Sequence, residues 1–211
     1  MKNKKNIGVI TGDLISSSGL SEKQKAELKA RLENFTSTSQ YVLLPLQFYR
    51  GDSFQVMCTK EKAAWLAIMI QAIIISTTDT MARLSIGIGP ASQIHKKDVL
   101  QSEGEAFILS GHQLDEMKSK SRIFKIAVNQ EEIQVNMEIA TLLVENIMMD
   151  WKPGQASVIS MNPQAETQRA IAGKLDISPA AVSKTLKASK WAAIDQYLIW
   201  YENTIKKLNH E

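Results

Sequence analysis

The 211-residue sequence contains little cysteine, little histidine and little excess charge. Cys58 is its only cysteine, so the chain forms no internal disulfide, and a reducing cytosol is the simplest expectation. His95, His112 and His210 are scattered and show neither the spacing of zinc ligands nor a cysteine–histidine nucleophile pair. A formal net charge of +3 argues against a dominant basic tail and leaves a nucleic-acid partner open.

Long apolar runs are also missing. The most apolar stretch, residues 63–75, includes Gln71 and has the length of a buried core helix, whereas a membrane span needs about 20 residues. Too few apolar residues precede Thr11 to form the core of a signal peptide. We therefore expect a cytoplasmic protein. A hydrophobic content of 44% with 22% charged residues is ordinary for one or two packed domains.

Strand and helix patterns alternate through the first 130 residues. Runs rich in apolar and β-branched residues predict strands at 7–11, 41–50, 53–58, 83–89 and 123–128. Helical spacing and N-terminal capping residues predict helices at 21–35, 60–76 and 104–118. The order β-α-β-β-α-β-α-β predicts an α/β (α+β) sandwich with a ferredoxin-like core.

The rest of the sequence is helical. Apolar residues at helical spacing predict a helix over 131–151, which we interpret as a connector between a domain of residues 1–130 and an all-α domain of residues 152–211. The last helix carries an apolar stripe that begins at Trp191. This stripe closes the core of the small domain, or alternatively Trp200 and Tyr197 form a dimer contact.

Residues 166–190 have the pattern of two short helices joined by a tight turn. Ile171 and Ala172 share one face of the first helix, Ser178 caps the second, and Pro179 occupies its first position. The phrase IA..L.IS...VS..L resembles the helix-turn-helix of many bacterial regulators, although Asp176 stands where that family usually has glycine. The pattern predicts an all-α helix-turn-helix domain.

The outward residues of this unit are small, hydroxylated or basic, which suits contacts with base edges and phosphates. The residues predicted to bind DNA are Arg169, Ser178, Ala180, Ala181, Ser183, Lys184 and Lys187. A small helical domain that docks a protein partner through the same surface is the alternative.

Two aspartates are the chemical features of the front part. Asp13 ends the first predicted strand, and Asp52 lies in the hairpin between the next two. Carboxylates on neighbouring strands can share Mg²⁺, which in turn can hold the phosphates of a nucleotide. Residues 16–18 and Arg50 are placed to bind the same phosphates. Ordinary turn chemistry is the alternative explanation of each aspartate. The predicted nucleotide-binding residues are Ser16, Ser17, Ser18 and Arg50.

The segments ITGDLISS, YRGDSFQV, SIGIG and SEGEAFILSGHQLDEMK resemble a divergent nucleotidyl cyclase domain of the class III and diguanylate cyclase kind. In that family the strand-ending and hairpin aspartates bind two metal ions, and the resemblance gives these roles to Asp13 and Asp52. The full chain is similar to the SatD family, which is associated with bacterial acid-stress tolerance. The resemblance therefore implies a nucleotidyl cyclase-like sandwich followed by a helix-turn-helix domain.

The sequence departs from the cyclases on one helix. Those enzymes carry an Asn and an Arg, four residues apart, that orient the ribose and stabilise the transition state. Here the corresponding positions hold Ile108 or Leu109 and His112 or Gln113. Losing such an arginine costs ~10³–10⁵ in the rate of phosphoryl transfer. The sequence thus does not show the Asn–Arg pair that stabilises the transition state in cyclases, and it leaves open whether the protein is an enzyme.

Two functional hypotheses follow. The first is a DNA-binding regulatory protein, which the family resemblance links to stress. Its degenerate cyclase-like domain would sense a nucleotide held through Mg²⁺. We expect a homodimer in that case, because helix-turn-helix modules usually bind two half-sites. The alternative is a Mg²⁺-dependent enzyme that acts on nucleoside triphosphates. A scaffold that binds only other proteins is a third possibility.

Overall fold

A computed structural model describes residues 6–96 and 98–208 of the chain. His210 and the outer ends of the two predicted domains lie outside this range. The strands are β1 (Asn6–Leu14), β2 (Val42–Tyr49), β3 (Ser53–Thr59), β4 (Ala82–His95), β5 (Asp98–Gly104) and β6 (Phe124–Val128). The helices of the front part are α1 (Glu22–Thr38), α2 (Ala63–Thr78), α3 (Glu105–Ser119) and α4 (Glu131–Met149). They are followed by α5 (Pro153–Ser160), α6 (Gln168–Leu175), α7 (Pro179–Ala188) and α8 (Trp191–Lys206).

β1 lies at the centre of the sheet and pairs antiparallel with β3 on one side and β4 on the other. The strand order is β2-β3-β1-β4-β5, and β6 adds parallel to the first half of β4. The two edge strands of this order, β2 and β5, approach each other: the amide of Val99 in β5 donates a hydrogen bond to Gln47 Oε1 in β2 at 2.9 Å. The sheet is therefore nearly closed.

Helices cover both faces of the sheet. Almost every residue of α2 is buried, which is what a helix that is apolar on all sides requires. It contacts the strands on one side and α1 and α5 on the other. On the opposite face α3 packs on β1 and β4, where the hydroxyl oxygens of Thr11 and Ser110 are 2.8 Å apart. α4 contacts β6.

The C-terminal helices share the main hydrophobic cluster with the sandwich. Tyr201 in α8 is buried and donates its hydroxyl to the carbonyl oxygen of Lys60 at 2.8 Å. Its neighbour Tyr197 is also buried and stacks edge-on against Phe124 of β6. One cluster includes Trp151, α5 and α8 residues together with the sheet and α2. The structure does not show a separate C-terminal domain, and the division at residues 131 and 152 stays a prediction.

The predicted mixed α/β class is confirmed, and the helix predicted at 104–118 is present as α3. The predicted order lacks one strand, because Asp98–Gly104 forms β5 between β4 and α3. The expected capping box at the start of α1 is present, with Ser21 and Gln24 bonded to each other. Within the described residues no helix combines the length and the apolar character needed to cross a bilayer.

Candidate functional site

Asp13 is the penultimate residue of β1, and its side chain is largely buried, 12% exposed. Its Oδ2 accepts a hydrogen bond from Arg83 Nη1 at 3.3 Å, and Oδ1 is buried without a partner among the described residues. Burial raises the pKa of the nearby Tyr49 phenol. The positive charge of Arg50 offsets part of this increase, and the negative charges of Asp115 and Asp13 add to it. A buried carboxylate oxygen without a hydrogen bond is rare, and a cation or water would satisfy it.

Asp52 lies in the turn between β2 and β3. The turn is made by Arg50 and Gly51, which both have positive φ, 51° and 88°. Glycine adopts this conformation freely, whereas arginine does so at some cost. The carboxylate of Asp52 accepts a hydrogen bond from Ser17 Oγ at 2.7 Å. This bond joins the β2–β3 turn to the short 3-10 turn of Ser17–Gly19 that precedes α1.

The backbone segments that carry the two aspartates are hydrogen-bonded to each other, but the two side chains have different partners. Leu14, which follows Asp13, donates its amide to the carbonyl oxygen of Asp52 at 3.2 Å. Neighbouring residues along a strand point to opposite faces of the sheet. Asp52 lies in the turn before β3, so its carboxylate must turn back toward Asp13 if the two are to bind one ion. The described residues contain no cluster of three or more side chains suited to a metal. The shared Mg²⁺ site therefore stays a prediction.

A cleft of about 390 Å³ lies between the turn and the start of α1. Its lining residues are Leu14, Ser17, Ser18, Glu22, Lys25, Arg50, Gly51 and Asp52. The structure thus brings together four of the six residues predicted for the front site, whereas Ser16 and Asp13 lie outside this lining. Two hydroxyls and two cations border a space large enough for a phosphate-bearing ligand.

Sequence reasoning missed Glu22 and Lys25 as cleft residues. They lie in the first turn of α1 and form an ion pair with a 2.8 Å separation. The signal was present in the sequence, since the serine-rich loop and the cap at Ser21 fix where α1 begins. The first turn of a helix next to a predicted phosphate loop is a natural place for further ligand contacts.

The second candidate surface is the exposed side of α6 and α7. The turn between them contains Asp176 in the left-handed conformation, φ 53°, which aspartate tolerates better than most residues. Ser178 caps α7 by accepting the amide of Ala181 at 3.1 Å. Ile171 and Val182 are buried in a small cluster that holds α5, α6 and α7 together.

Of the seven residues predicted to bind DNA, six are exposed and Ala181 is partly exposed. Among the described residues, Arg169, Lys184 and Lys187 take part in no ion pair, whereas Lys174 pairs with Glu166 at 2.8 Å. The exposed face therefore carries three cations that are free to meet a polyanion. Its role in DNA binding stays a prediction.

The model of the SatD family matches residues 7–202. The search of curated proteins found no match. Two structures of a bacterial light-regulated adenylyl cyclase are similar, each at 13% sequence identity, with TM-scores of 0.37 and 0.39. The similarity covers 58% of this chain and 43% and 42% of those chains, so it spans less than half of their length.

Proposed function

This chain belongs to the SatD family. We propose that it is a regulatory protein that binds double-stranded DNA through the exposed face of α7. The observation that carries the proposal is the set of free cations on that face. Lys184 and Lys187 lie three residues apart on α7, and Arg169 on α6 adds a third charge. Cations at this spacing along one helix can contact successive phosphates of a groove.

The N-terminal half of α7 supports the same proposal. Pro179 starts the helix, and Ala180 and Ser183 are exposed and small enough to let the helix approach base edges closely. The helix is held from behind by Val182, which is fully buried. A short, rigid helix with a small and basic outer face fits a major groove.

The test is fluorescence anisotropy with a labelled mixed-sequence duplex, titrated at several salt concentrations. The double variant Lys184→Ala/Lys187→Ala should weaken binding about tenfold or more and reduce the salt slope by about 2, since each phosphate contact contributes roughly 0.9. The matched control Lys23→Ala/Lys29→Ala removes the same charge from exposed positions of α1. Absence of salt-dependent binding by the unsubstituted protein, or equal loss in both double variants, would contradict the proposal.

The cleft beside α1 favours a second component, a nucleotide ligand. Arg50 and Lys25 can bind phosphates, and the hydroxyls of Ser17 and Ser18 can donate to the same oxygens. Asp52 and Asp13 would hold Mg²⁺, since carboxylate oxygens are the ligands this ion prefers and Asp13 Oδ1 is otherwise unpaired. Bound Mg²⁺ would neutralise the charge of the phosphates.

A thermal-shift panel of nucleoside triphosphates, with and without Mg²⁺, tests this component. A ligand at 100 times its Kd stabilises the folded state by about 2.7 kcal/mol, which raises the melting temperature. Arg50→Ala should abolish the shift, and Arg169→Ala, an arginine outside the cleft, should leave it unchanged. Melting temperatures that respond to none of the nucleotides would exclude the ligand.

The alternative function, a Mg²⁺-dependent enzyme, would use the same cleft. Formation of a product distinguishes an enzyme from a nucleotide sensor. Of the residues that correspond to the Asn and Arg of a cyclase, Ile108 and His112 are exposed on α3, and their alternatives Leu109 and Gln113 are partly exposed. Nucleotide-dependent release of pyrophosphate that disappears in Asp52→Asn would favour the enzyme. Binding without turnover would favour the sensor.

A further inference from the structure

The outer face of α4 is apolar along most of its length. Five large side chains on this face are 44–63% exposed: Val135, Ile139, Leu142, Leu143 and Met149. At the helical period all five lie on one side of α4, with the exposed Asn146 between Leu143 and Met149. This row of five is here called the α4 stripe. From the first to the last of them the helix rises about 21 Å.

The same helix is firmly attached through its inner face. Met137, Val144 and Met148 are buried there. Arg122 Nε lies 2.8 Å from Glu145, and its Nη1 lies 2.8 Å from Glu138, which ties α4 to the segment before β6. α4 is therefore apolar on two sides, and the described part of this chain covers only one of them.

The charged residues between Val135 and Met149 are Glu138, whose side chain is 42% exposed and pairs with Arg122 and Lys125, and Glu145, which is buried. The exposed uncharged polar residues there are Asn136 and Asn146, whose amides donate to carbonyl oxygens of α4 itself at 3.0 and 2.8 Å. Another long helix shows the ordinary pattern, since the exposed positions of α1 include Lys23, Glu27 and other charged or small residues and no large apolar one. The α4 stripe is thus a specific feature of this helix.

We propose that the α4 stripe is the contact surface between two copies of this chain, packed antiparallel about a two-fold axis near Leu142. A two-fold contact needs a patch that is complementary to itself. The stripe meets this condition, because Val135 and Met149 lie seven residues on either side of Leu142 and would face each other. The two Leu142 side chains would meet at the axis.

The area of the stripe fits this occupant. Its five half-exposed side chains present on the order of 500 Å² of apolar surface, near the upper end for a patch on a monomer. Two copies would bury about 1,000 Å² in total before any neighbouring residue is counted, which is about the minimum for a biological interface.

The charges around the stripe also favour a second copy. Glu131 and Glu132 are exposed at the N-terminal end of α4. The other end has two exposed lysines, Lys152 and Lys190, and one acid, Asp150, which pairs with Lys190 at 3.2 Å. Antiparallel packing brings the acidic end of one copy near the net positive end of the other. A membrane surface suits the stripe poorly, because helices that lie on anionic lipid are rich in Lys and Arg, and α4 contains neither.

The contact proposed from the sequence at α8 offers less surface. Tyr197 is only 8% exposed and packs against Phe124, and Trp200 is 36% exposed. A single half-buried tryptophan does not provide the area of a dimer interface.

The test is the mass of the full-length protein in solution, measured by size-exclusion chromatography with light scattering at tens of micromolar. We expect twice the mass of one chain, and a single-chain mass for Leu143→Glu, the most exposed position of the stripe. Ile108→Glu, with the same charge added at a 60% exposed position of α3, should stay dimeric. Circular dichroism confirms that both variants are folded, as expected for exposed sites.

Cross-linking gives a second, independent readout. The native Cys58 is fully buried, and burial raises the pKa of its thiol, so it does not interfere. Leu142→Cys should form a disulfide-linked dimer under mild oxidation, and Ile108→Cys should not. A monomeric unsubstituted protein, a dimer that survives Leu143→Glu, or equal cross-linking at both cysteines would each overturn the proposal.

Discussion

Glu202 connects α8 to the front of the molecule through Lys62 and also pairs with Lys206 on its own helix. Its carboxylate lies 2.5 Å from Lys62 and 2.8 Å from Lys206. Burial raises the pKa of Glu202, but hydrogen bonds from Lys206 and Lys62 outweigh it and hold the pKa below its ordinary value of 4.5. A carboxyl group with a lowered pKa in the folded state stabilises the fold above its unfolded pKa. This contribution is lost as the pH falls through the folded value.

We therefore predict that Glu202→Gln lowers stability at pH 7 by about 1 kcal/mol, or about 2–4 °C in melting temperature. The deficit should shrink below about pH 4.5, where the native carboxyl group also becomes neutral. Melting curves between pH 7 and pH 3.5 measure it. Glu33→Gln serves as the control, because its partner Lys29 lies 3.8 Å away and both side chains are about half exposed. A deficit that is constant with pH would instead indicate lost packing.

Residue-scale features were predictable where they depend on neighbours in sequence. Ser178 and Pro179 were assigned to the start of α7 from the sequence, because capping needs only the following three or four residues. The partner of Asp13 was not predictable in this way. Arg83 is 70 residues away in the chain, and only the pairing of β1 with β4 places the two side chains together.

The packing of α3 on β4 depends on Gly87. A Cβ at this position would lie 2.0 Å from the carbonyl oxygen of Ala106 and 2.7 Å from the amide nitrogen of Ser110. Both atoms belong to the backbone of α3 and cannot move alone. We predict that Gly87→Ala destabilises the protein by about 3 kcal/mol or more, because the helix must shift away from the sheet.

The control for this prediction is Gly111→Ala on α3, the helix that packs over Gly87. A Cβ at residue 111 meets no atom within 4 Å. Alanine is favoured over glycine inside a helix by about 1 kcal/mol, so this variant should be neutral or slightly more stable. Urea unfolding followed by circular dichroism compares the two. A Gly87→Ala protein as stable as the unsubstituted one would show that α3 does not approach the sheet this closely.

At the scale of elements, regular patterns were predictable and irregular ones were not. The five predicted strands show apolar runs or alternation, and all of them occur. β5 was missed because its buried residues are Val99, Ser102 and Gly104, which do not alternate and include only one large apolar side chain. Its pairing with β4 is interrupted by register shifts, so a period of two does not apply. The α4 stripe was missed because the inner apolar residues already explained the helix.

The organisation of the whole molecule depends on contacts that no local pattern encodes. The sequence predicts that the C-terminal domain begins at residue 152. In the structure the main cluster contains residues from both sides of this position, and Trp151 donates its indole N–H to the carbonyl oxygen of Ser189 at 3.0 Å. The boundary stays a prediction. The apolar stripe of α8 was predicted, but the surface that receives it was not.

A shared core predicts a single cooperative unfolding transition. A fourth tryptophan, Trp65, lies in α2, so the experiment uses a Trp65→Phe background. There Trp151, Trp191 and Trp200 report on the C-terminal part, and Cys58 in β3 reports on the front part because its thiol is fully buried until the sheet opens. Urea transitions followed by tryptophan fluorescence and by pulsed thiol labelling should therefore coincide.

The variant Ile194→Ala makes the comparison decisive. Ile194 is fully buried in α8 and belongs to the shared cluster, so its truncation should cost about 2–5 kcal/mol. In one cooperative unit this loss moves both transitions to lower urea by the same amount, because the front part cannot stay folded when α8 detaches. Two independent domains would behave differently. The fluorescence transition would shift while Cys58 kept its protection, and the boundary predicted near residue 152 would then be real.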